Sequence, residues 1–401
     1  MTPRPATASA RSVDEYRDTL AALLAHLGDR PAEQVPVPDA LGRTLSADVV
    51  SPIDLPVFRN SAMDGYAVRA ADVAVTPVTL PVAGVVAAGK PGTAPLPAGA
   101  ALKVMTGAPM PPGADCVVPV EDVQAGDGRI VVERGRGRGE FVREAGTDVR
   151  TGELVARAGT VLAPRHIAAL AAVGLATVPV LSRLRAACIT TGDELRPAGS
   201  ALAPGQIYNS NGIALAAALR ADGVEVVEIA HSTDDPARFT AVLREATAVA
   251  DLIFTSGGVS KGDFEVVKDV LTPLGGTFGS VAVQPGGPQG YTVVDGVPVL
   301  SFPGNPVSTM VSYAVFARPT VRALAGLPEP ESRETTLLTA LRSPAGRRQY
   351  LRGLLTDDGV EVISGPGSHL IAGMAWADVL VDVPAEVTSL TAGAPVRILT
   401  L

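Results

Sequence analysis

Three glycine-bearing polar segments each close an apolar run: Thr190-Thr191-Gly192-Asp193-Glu194, then Thr255-Ser256-Gly257-Gly258-Val259-Ser260-Lys261-Gly262-Asp263, then Ser301-Phe302-Pro303-Gly304-Asn305-Pro306. In the middle one, two consecutive glycines let the backbone bend sharply and present bare N–H groups. A helix starting after them adds its N-terminal partial positive charge, which makes a cradle for a phosphate or another oxyanion. Gly304 before Pro306 builds a second bend of the same kind. Taken singly, each segment is equally well explained as a tight turn; three at one edge of one sheet point to a site. Carboxylates are the other theme. Asp64, Asp148, Glu194, Asp234, Asp235, Asp263 and Glu265 fall in loops or at helix starts, and magnesium takes a few such oxygens together with water and substrate phosphate. Asp234, shortly ahead of Pro236, reads first as a helix cap.

The segments need a frame. From about Leu184 the chain alternates strand and helix: a buried strand over 184–192, a helix opened by Asn211 and closed at Gly223, and a strand over 224–230. A helix from Pro236 to Ala250 follows, then a strand over 251–258, a helix from about Glu265 to Leu274, a strand over 298–304 and a helix opened by Pro306. That alternation implies a doubly wound, mostly parallel sheet, whose ligands bind outside the carboxyl ends of the strands. Ahead of it, Ser12 with Glu15 three residues on starts a helix reaching about Leu27, where Gly28 stops it. Residues 35–161 are short apolar runs broken by Gly, Pro and Asp, which reads as small β-rich units; 134–140 reads as an exposed turn with solvated arginines. After Pro328 the chain returns to short strands, an all-β unit expected to be a small barrel.

Composition narrows the function. A net charge of −8 has the wrong sign for a protein that neutralises a nucleic-acid backbone. Two cysteines cannot build a disulfide framework, so a reducing, cytoplasmic setting is expected, and four isolated histidines disfavour a His-built zinc site. The longest uncharged apolar stretch, 167–181, is interrupted by Gly174 and Pro179 and falls short of the roughly 20 residues a membrane span needs. Cys116 and Cys188 read as small buried apolar residues, Trp376 as packing or interface, and Arg347 and Arg348 as exposed. A nicotinamide dehydrogenase is excluded, because no Gly-x-Gly-x-x-Gly follows a first strand with an acidic partner about 20 residues on.

Six motifs in order resemble the MoeA family of molybdopterin molybdenumtransferases, related to the E domain of gephyrin. They are Asn60-Ser61-Ala62-Met63-Asp64-Gly65-Tyr66-Ala67, Met105-Thr106-Gly107-Ala108-Pro109 with Pro112 to Asp115, Thr191 to Leu195, Ser256 to Ser260, Pro303 to Ser308, and Gly367-Ser368-His369. The resemblance implies an elongated homodimer of four-domain subunits: 1–50 with 143–180, an inserted β-rich domain over 51–142, an α/β domain over 181–327 and a C-terminal β-barrel over 328–401. It implies molybdenum insertion into adenylylated molybdopterin, with molybdate as metal source and magnesium-dependent cleavage of the adenylate. The upstream pterin adenylyltransferase is a further expected partner; nucleic acid and membrane are not. Carried over by position, Asp64, Thr106, Glu194 and Glu265 are catalytic, with Asp64 and Thr106 reaching the site across the dimer. Substrate would meet Asp148, Asp234, Ser256, Gly257, Gly258, Ser260, Lys261, Pro303, Gly304, Asn305, Pro306, Arg352 and Ser368. Glu194, Asp234, Asp263 and Glu265 are the metal candidates, and Glu265 stands where the family usually has an aspartate.

One segment departs from the pattern. Where family members often read Lys-Pro-Gly-Lys-Pro, this chain reads Gln284-Pro285-Gly286-Gly287-Pro288. Each lost charged contact weakens a dianion pocket by about 1.5–3 kcal/mol, which leaves full activity and the choice of molybdenum or tungsten open. A non-enzymatic scaffold and the pterin adenylyltransferase are the competing functions. The retained acids oppose the first, and the flanking domains oppose the second. Lys261 is the residue placed to compensate. Lys261→Ala is expected to raise the molybdate concentration for half-maximal activity by about tenfold or more, as loss of one charged contact predicts; an unchanged requirement rejects that role.

Overall fold

The computed structural model describes residues 10–89, 94–260 and 265–401, which leaves Lys261 and Asp263 outside the described residues. The chain forms two compact units, Met1–Pro31 with Leu181–Leu401, and Ala32–Val180.

The first unit is built on a six-stranded sheet. In chain order its strands are β1 (Arg185–Thr191), β2 (Glu225–Ser232), β3 (Leu252–Ser256), β4 (Thr277–Ser280), β5 (Pro288–Val294) and β6 (Val297–Phe302). Their spatial order is β2-β1-β3-β6-β5-β4. The four strands β2, β1, β3 and β6 are mutually parallel, while β5 and β4 run antiparallel at one edge. The alternating pattern accounts for the parallel strands; β4 and β5 had no assignment from it. Their signal is Asp295-Gly296, both at positive φ, which closes a two-residue hairpin between β5 and β6.

Both faces of the sheet are covered, which small residues on β1 permit. Ala186 and Cys188 face one core with helices α1 (Val13–Leu24), α2 (Asn211–Ala221), α5 (Pro306–Ser312) and α6 (Arg318–Leu324). Ala187 and Ile189 face the other, with α3 (Pro236–Thr247) and α4 (Val266–Leu271). Burial pushes the Cys188 thiol up to about 12, and Cys116 in the second unit likewise, so neither is a ready nucleophile. A capping box starts α1. The Glu15 N–H donates to Ser12 Oγ at 3.2 Å, and the Ser12 N–H to Glu15 Oε2 at 2.9 Å. The α-helix ends at Leu24, and a 3₁₀ turn continues it to Gly28. Its buried Val13, Tyr16, Leu20 and Leu24 join the α/β core.

Between α5 and α6 the helix widens into one π turn, Tyr313–Ala317. Pro319 is the cause, since it has no N–H for the Val315 carbonyl four residues back. Arg17 Nε on α1 donates to that carbonyl instead, at 2.6 Å.

The barrel strands are β7 (Ser332–Thr336), β8 (Arg348–Thr356), β9 (Gly359–Val362), β10 (Val379–Val383) and β11 (Pro395–Thr400). Sheet order β8-β10-β11-β7, with β9 on the other side of β8, is closed by a bridge between Leu337 and Val360. The expected small barrel is present. A short strand from the α/β block, Val283–Gln284, pairs in parallel with β8, with Gln284 opposite Gln349. Arg348 is not exposed as expected: it bonds Asp382 at 2.8 and 2.7 Å and also meets Asp14 of α1. Of the two readings for Trp376, its 76% exposure removes packing and leaves interface.

The second unit is β-rich, as expected. Its main sheet has the order Cys116–Pro119, Gly65–Val68, Ala101–Val104, Val78–Val86, Arg129–Val132, Val123–Gly126. Gly65 is obligatory there, because a Cβ would lie 2.3 Å from the Val118 carbonyl oxygen. Arg136 corrects the reading of 134–140 as solvated: its side chain is largely buried, paired with Asp122 and stacked over Phe141. No helix among the described residues is long and apolar enough to cross a membrane.

Asp222, 1% exposed at the end of α2, accepts from Tyr313 Oη at 2.7 Å, Arg318 Nε at 3.1 Å and Arg322 Nη1 at 2.6 Å. Asp222→Ala strands two partly buried guanidiniums, and urea unfolding is expected to show a loss of about 3–5 kcal/mol. A loss below about 1 kcal/mol, the surface-pair range, would show that the cluster is not a structural anchor.

Candidate active site

The carboxyl ends of β1, β3 and β6 lie side by side, and their three polar segments meet there. Gly257 follows β3 at φ +105, and a Cβ on it would lie 2.7 Å from Thr191 Oγ1 at the end of β1. Gly304, beyond β6, comes so close that its Cβ would sit 3.3 Å from the Gly257 Cα. Glycine is therefore required by the approach of two backbones as well as by turn geometry.

A buried hydroxyl network fixes this junction. Asn211 Nδ2, at the start of α2, donates to Ser256 Oγ at 2.9 Å and to the Gly304 carbonyl at 2.7 Å. Ser256 Oγ meets Thr309 Oγ1 at 3.0 Å, and Thr309 Oγ1 donates to the Pro303 carbonyl at 2.7 Å. Gly258 is also left-handed, φ +66, with its space bounded by Val267 of α4. Glu265 closes the segment by accepting the Ser260 N–H at 2.7 Å.

In front of the junction lies a cleft of about 480 Å³, lined among others by Ser260, Gln284, Gly304, Asn305, Ser308 and Ser368. The barrel supplies its far wall. The Ser368 carbonyl accepts the Val307 N–H at 3.0 Å, one of the free donors of the first turn of α5. Beneath that wall Arg352 is fully buried. Its Nε donates to Ser364 Oγ at 2.5 Å and its Nη2 to the carbonyls of Gly365 and Gly367, while Nη1 has no partner. Burial lowers the guanidinium from its ordinary value. Neutral hydroxyls and amides thus ring a cleft with one buried cation under its wall, an arrangement that accepts an oxyanion.

Family models match nearly the whole chain: the MoeA N-terminal region (domain I and II) over residues 11–174, a probable molybdopterin binding domain over 187–323, and the MoeA C-terminal region (domain IV) over 334–401. The molybdopterin molybdenumtransferase 2 of Mycobacterium tuberculosis H37Rv is 43% identical, over 97% of this chain and 99% of the relative. The chain belongs to the MoeA family. The molybdopterin molybdenumtransferase of Haemophilus influenzae is 33% identical, over 91% of this chain and 95% of that protein. Among solved structures, a molybdopterin biosynthesis MoeA protein of Pyrococcus horikosii superposes with a TM-score of 0.83 at 32% identity, covering 98% of this chain and 99% of that one. MoeA membership makes this protein a transferase of molybdenum-cofactor biosynthesis, and its mixed α/β and β architecture is the MoeA one.

Ser256, Gly257, Gly258, Ser260, Glu265, Pro303, Gly304, Asn305, Pro306 and Ser368 all gather at the junction or cleft. Asn305 precedes α5 without making a side-chain cap bond, so it is not used up as a cap. Glu194 is at the β1 end, where a Cβ on Gly192 would lie 2.4 Å from its carboxylate. Asp234 Oδ2 accepts the Asp193 N–H at 3.4 Å, and Asp193 Oδ1 accepts the Asp234 N–H at 3.3 Å. It is not the cap of α3; Asp235 is, accepting the Ala237 N–H at 2.8 Å. Arg352 lies beneath the wall of the cleft rather than on it. The helix expected after the double glycine is present, six α residues from Val266 continued by a 3₁₀ turn to Leu274. Among the described residues no three His, Cys, Asp or Glu side chains gather closely enough to hold a metal. Asn211, Thr309, Gln284 and Gln349 were not singled out as site residues from the sequence. Asn211 had a signal, an Asn-Gly pair opening a helix beside a ligand-binding strand edge.

Asp64, Thr106 and Asp148 belong to the second unit. Asp64 Oδ1 accepts both the Thr106 N–H at 2.7 Å and the Thr106 hydroxyl at 3.0 Å. These bonds hold the Asp64 carboxyl below the usual carboxylate range. The stabilisation is complete above the unfolded value of about 3.9 and is lost as pH falls through the lower folded value. Thr106→Val removes the hydroxyl bond, and a carboxyl NMR titration is expected to show the Asp64 pKa move upward. An unmoved titration would assign the depression to the backbone bond alone.

Proposed function

We propose that this MoeA-family protein inserts molybdenum, taken from molybdate, into adenylylated molybdopterin and cleaves the adenylate in a magnesium-dependent step. The observation that carries this reading is the cleft beyond the ends of β3 and β6, lined by Ser260, Gly304, Asn305 and Ser308 and walled by the barrel loop at Ser368. The glycine bend and Ser260 would hold the phosphorylated part of the pterin. Asn305, Ser308 and Ser368 would face the metal oxyanion. Asp64 and Thr106 would enter from the second subunit of a homodimer, and Asp148 would bind substrate. The proposed division is a linking domain (1–50 and 143–180), an inserted domain (51–142), an α/β domain (181–327) and a barrel (328–401).

Magnesium fits the donor set. Glu194, Asp193, Asp234 and Glu265 offer hard carboxylate oxygens near strand ends, and magnesium needs only one or two of these beside phosphate and water. Bound there, it would neutralise charge on the phosphates. The residues themselves would hold the substrate in register. Exposed Leu202, Ile207, Tyr208, Ile213 and Ile229 in the α/β block offer an apolar face for the second copy. Two free buried cysteines suit the cytoplasm.

The test is release of AMP from adenylylated molybdopterin on addition of molybdate and magnesium. Release, with activation of an apo-molybdoenzyme, is the expected result; adenylate formation from ATP and free pterin, or binding without turnover, would reject the assignment. Subunit sharing has its own readout. Asp64→Ala and Glu194→Ala are each expected to lower turnover about 100-fold, in the range of losing one catalytic group. Mixed dimers of the two should recover part of the activity, and mixtures as inactive as their parents would rule out a site completed across the dimer.

A further inference from the structure

Asp148, assigned to substrate in the proposed function, is exposed, and among the described residues its carboxylate has no hydrogen bond or ion pair of its own. Where it is presented is therefore decided by the backbone on either side of it. That backbone is held against the segment just ahead of the Asn60 motif. The Asp148 N–H donates to the Leu55 carbonyl at 2.9 Å, the Leu55 N–H to the Val149 carbonyl at 2.7 Å, and the Gly146 N–H to the Pro56 carbonyl at 3.0 Å.

One carboxylate touches both ends of this loop. Asp54 Oδ1 accepts the Thr151 N–H at 2.8 Å and the Thr151 hydroxyl at 2.9 Å, just after Asp148 in the chain. Just before it, Gly146 turns at φ +71, and a Cβ there would lie 3.4 Å from Asp54 Cγ and 3.1 Å from Arg150 Cγ. Glycine is thus needed at 146 both for the turn and for the approach of Asp54. The Thr151 N–H and then its hydroxyl hold the Asp54 carboxyl below the usual carboxylate range, so it is ionised at neutral pH and the stronger acceptor for it. The same two-bond pattern joins Asp64 to Thr106. In that pair the aspartate is itself the proposed catalytic group; in this one it stands behind another aspartate.

We infer that Asp54 is a positioning residue for the reaction: clasped to Thr151, its carboxylate fixes the loop 146–151 so that Asp148 is presented to substrate. The inference rests on the proposed function and adds a residue that acts through Asp148 without touching substrate. Loosening the clasp weakens a substrate contact and leaves the groups of the chemical step, Asp64, Thr106 and Glu194, as they were. Loss of such a contact raises KM and spares kcat.

Steady-state AMP release from adenylylated molybdopterin by the full-length protein tests it, with thermal unfolding to check that each variant is folded. Asp148→Ala is expected to raise KM about tenfold or more, as loss of one charged contact predicts. Asp54→Ala should raise it about three- to tenfold with kcat within about twofold. Thr151→Val should give a smaller rise, because the backbone bond remains, and Thr151→Ser should keep the wild-type KM. Combining Asp54→Ala with Asp148→Ala should give a KM no higher than Asp148→Ala alone, because residues acting as one unit are not additive. If Asp54→Ala does not fold, Thr151→Val takes its place in this cycle. A multiplied rise in the double variant would overturn the inference, as would an unchanged KM in Asp54→Ala or in Asp148→Ala, or a loss that falls on kcat. A wild-type protein that releases no AMP removes the proposed function and this inference together; wild-type turnover with multiplied losses discards the role of Asp54 alone.

Discussion

Two backbones approach each other at the edge of the parallel sheet with no room for a side chain between them. Gly257 and Gly304 meet there, and the rest of the site follows from that contact. Because neither carries a Cβ, the ends of β3 and β6 can be tied by the Gly257 N–H donating to the Phe302 carbonyl at 3.1 Å. Because the strands are tied, Ser256, Thr309 and Asn211 come within hydrogen-bonding range and satisfy one another in the interior. A buried polar network is stabilising only when its members are partnered. Its strictness positions Ser260, Asn305 and Ser308 in front of it. A methyl group at 257 or 304 would push these segments apart and misplace three donors together.

Buried charge elsewhere in the first unit is matched in a way that sharpens the meaning of Arg352. Asp222 faces two arginines, and Arg348 faces Asp382 and Asp14. These groups fasten α2, α6, α1 and the barrel to one another, at positions far apart in the chain. Arg352 is also buried, yet its partners are a serine hydroxyl and two carbonyls. A buried guanidinium without a carboxylate is costly, and the cost persists where an anion offsets it. The contrast sets Arg352 apart from the arginines that serve as ion-pair anchors.

Much of this was legible in the sequence because it is local. The capping box of α1, the helix opened by Pro306 and the alternation from Leu184 onward each depend on residues a few positions apart, and each is present. The three strand ends were legible for the same reason: glycine and proline punctuate strands where backbones must bend. The arginines were not. Arg136 and Arg348 looked like surface residues in an arginine-rich composition, and only tertiary contact with Asp122, Asp382 and Asp14 buries them. Asp234 and Asp235 could not be told apart as caps, since that depends on which one adopts extended geometry before Pro236. The antiparallel strands β4 and β5 were obscured by glycines within them, Gly279 and Gly290, and beside them, Gly276, Gly286 and Gly287, which interrupt any apolar period. Gly290 is there because Phe278 packs onto its backbone, where a Cβ would lie 2.3 Å from the ring.

The cleft combines parts that fold by different rules. Its floor is the edge of a parallel sheet, stiff because each strand is hydrogen-bonded along its length. Its two walls are attached to the barrel instead. One is the turn after Val283, whose strand pairs with β8; the other is the loop 364–368, pinned by Arg352. Arg352 and Gln349 sit three residues apart on β8, so a single strand supports both walls. Alternation along a strand normally sends odd and even positions to opposite faces, and this spacing sends one residue of the pair each way, Gln349 toward the Gln284 wall and Arg352 toward the serine loop. A shift of β8 by one residue would exchange the faces of both side chains at once. The register of β8 against β10, held by Gln349 opposite Val383 and Arg352 opposite Leu380, therefore fixes the width and the polarity of the cleft together.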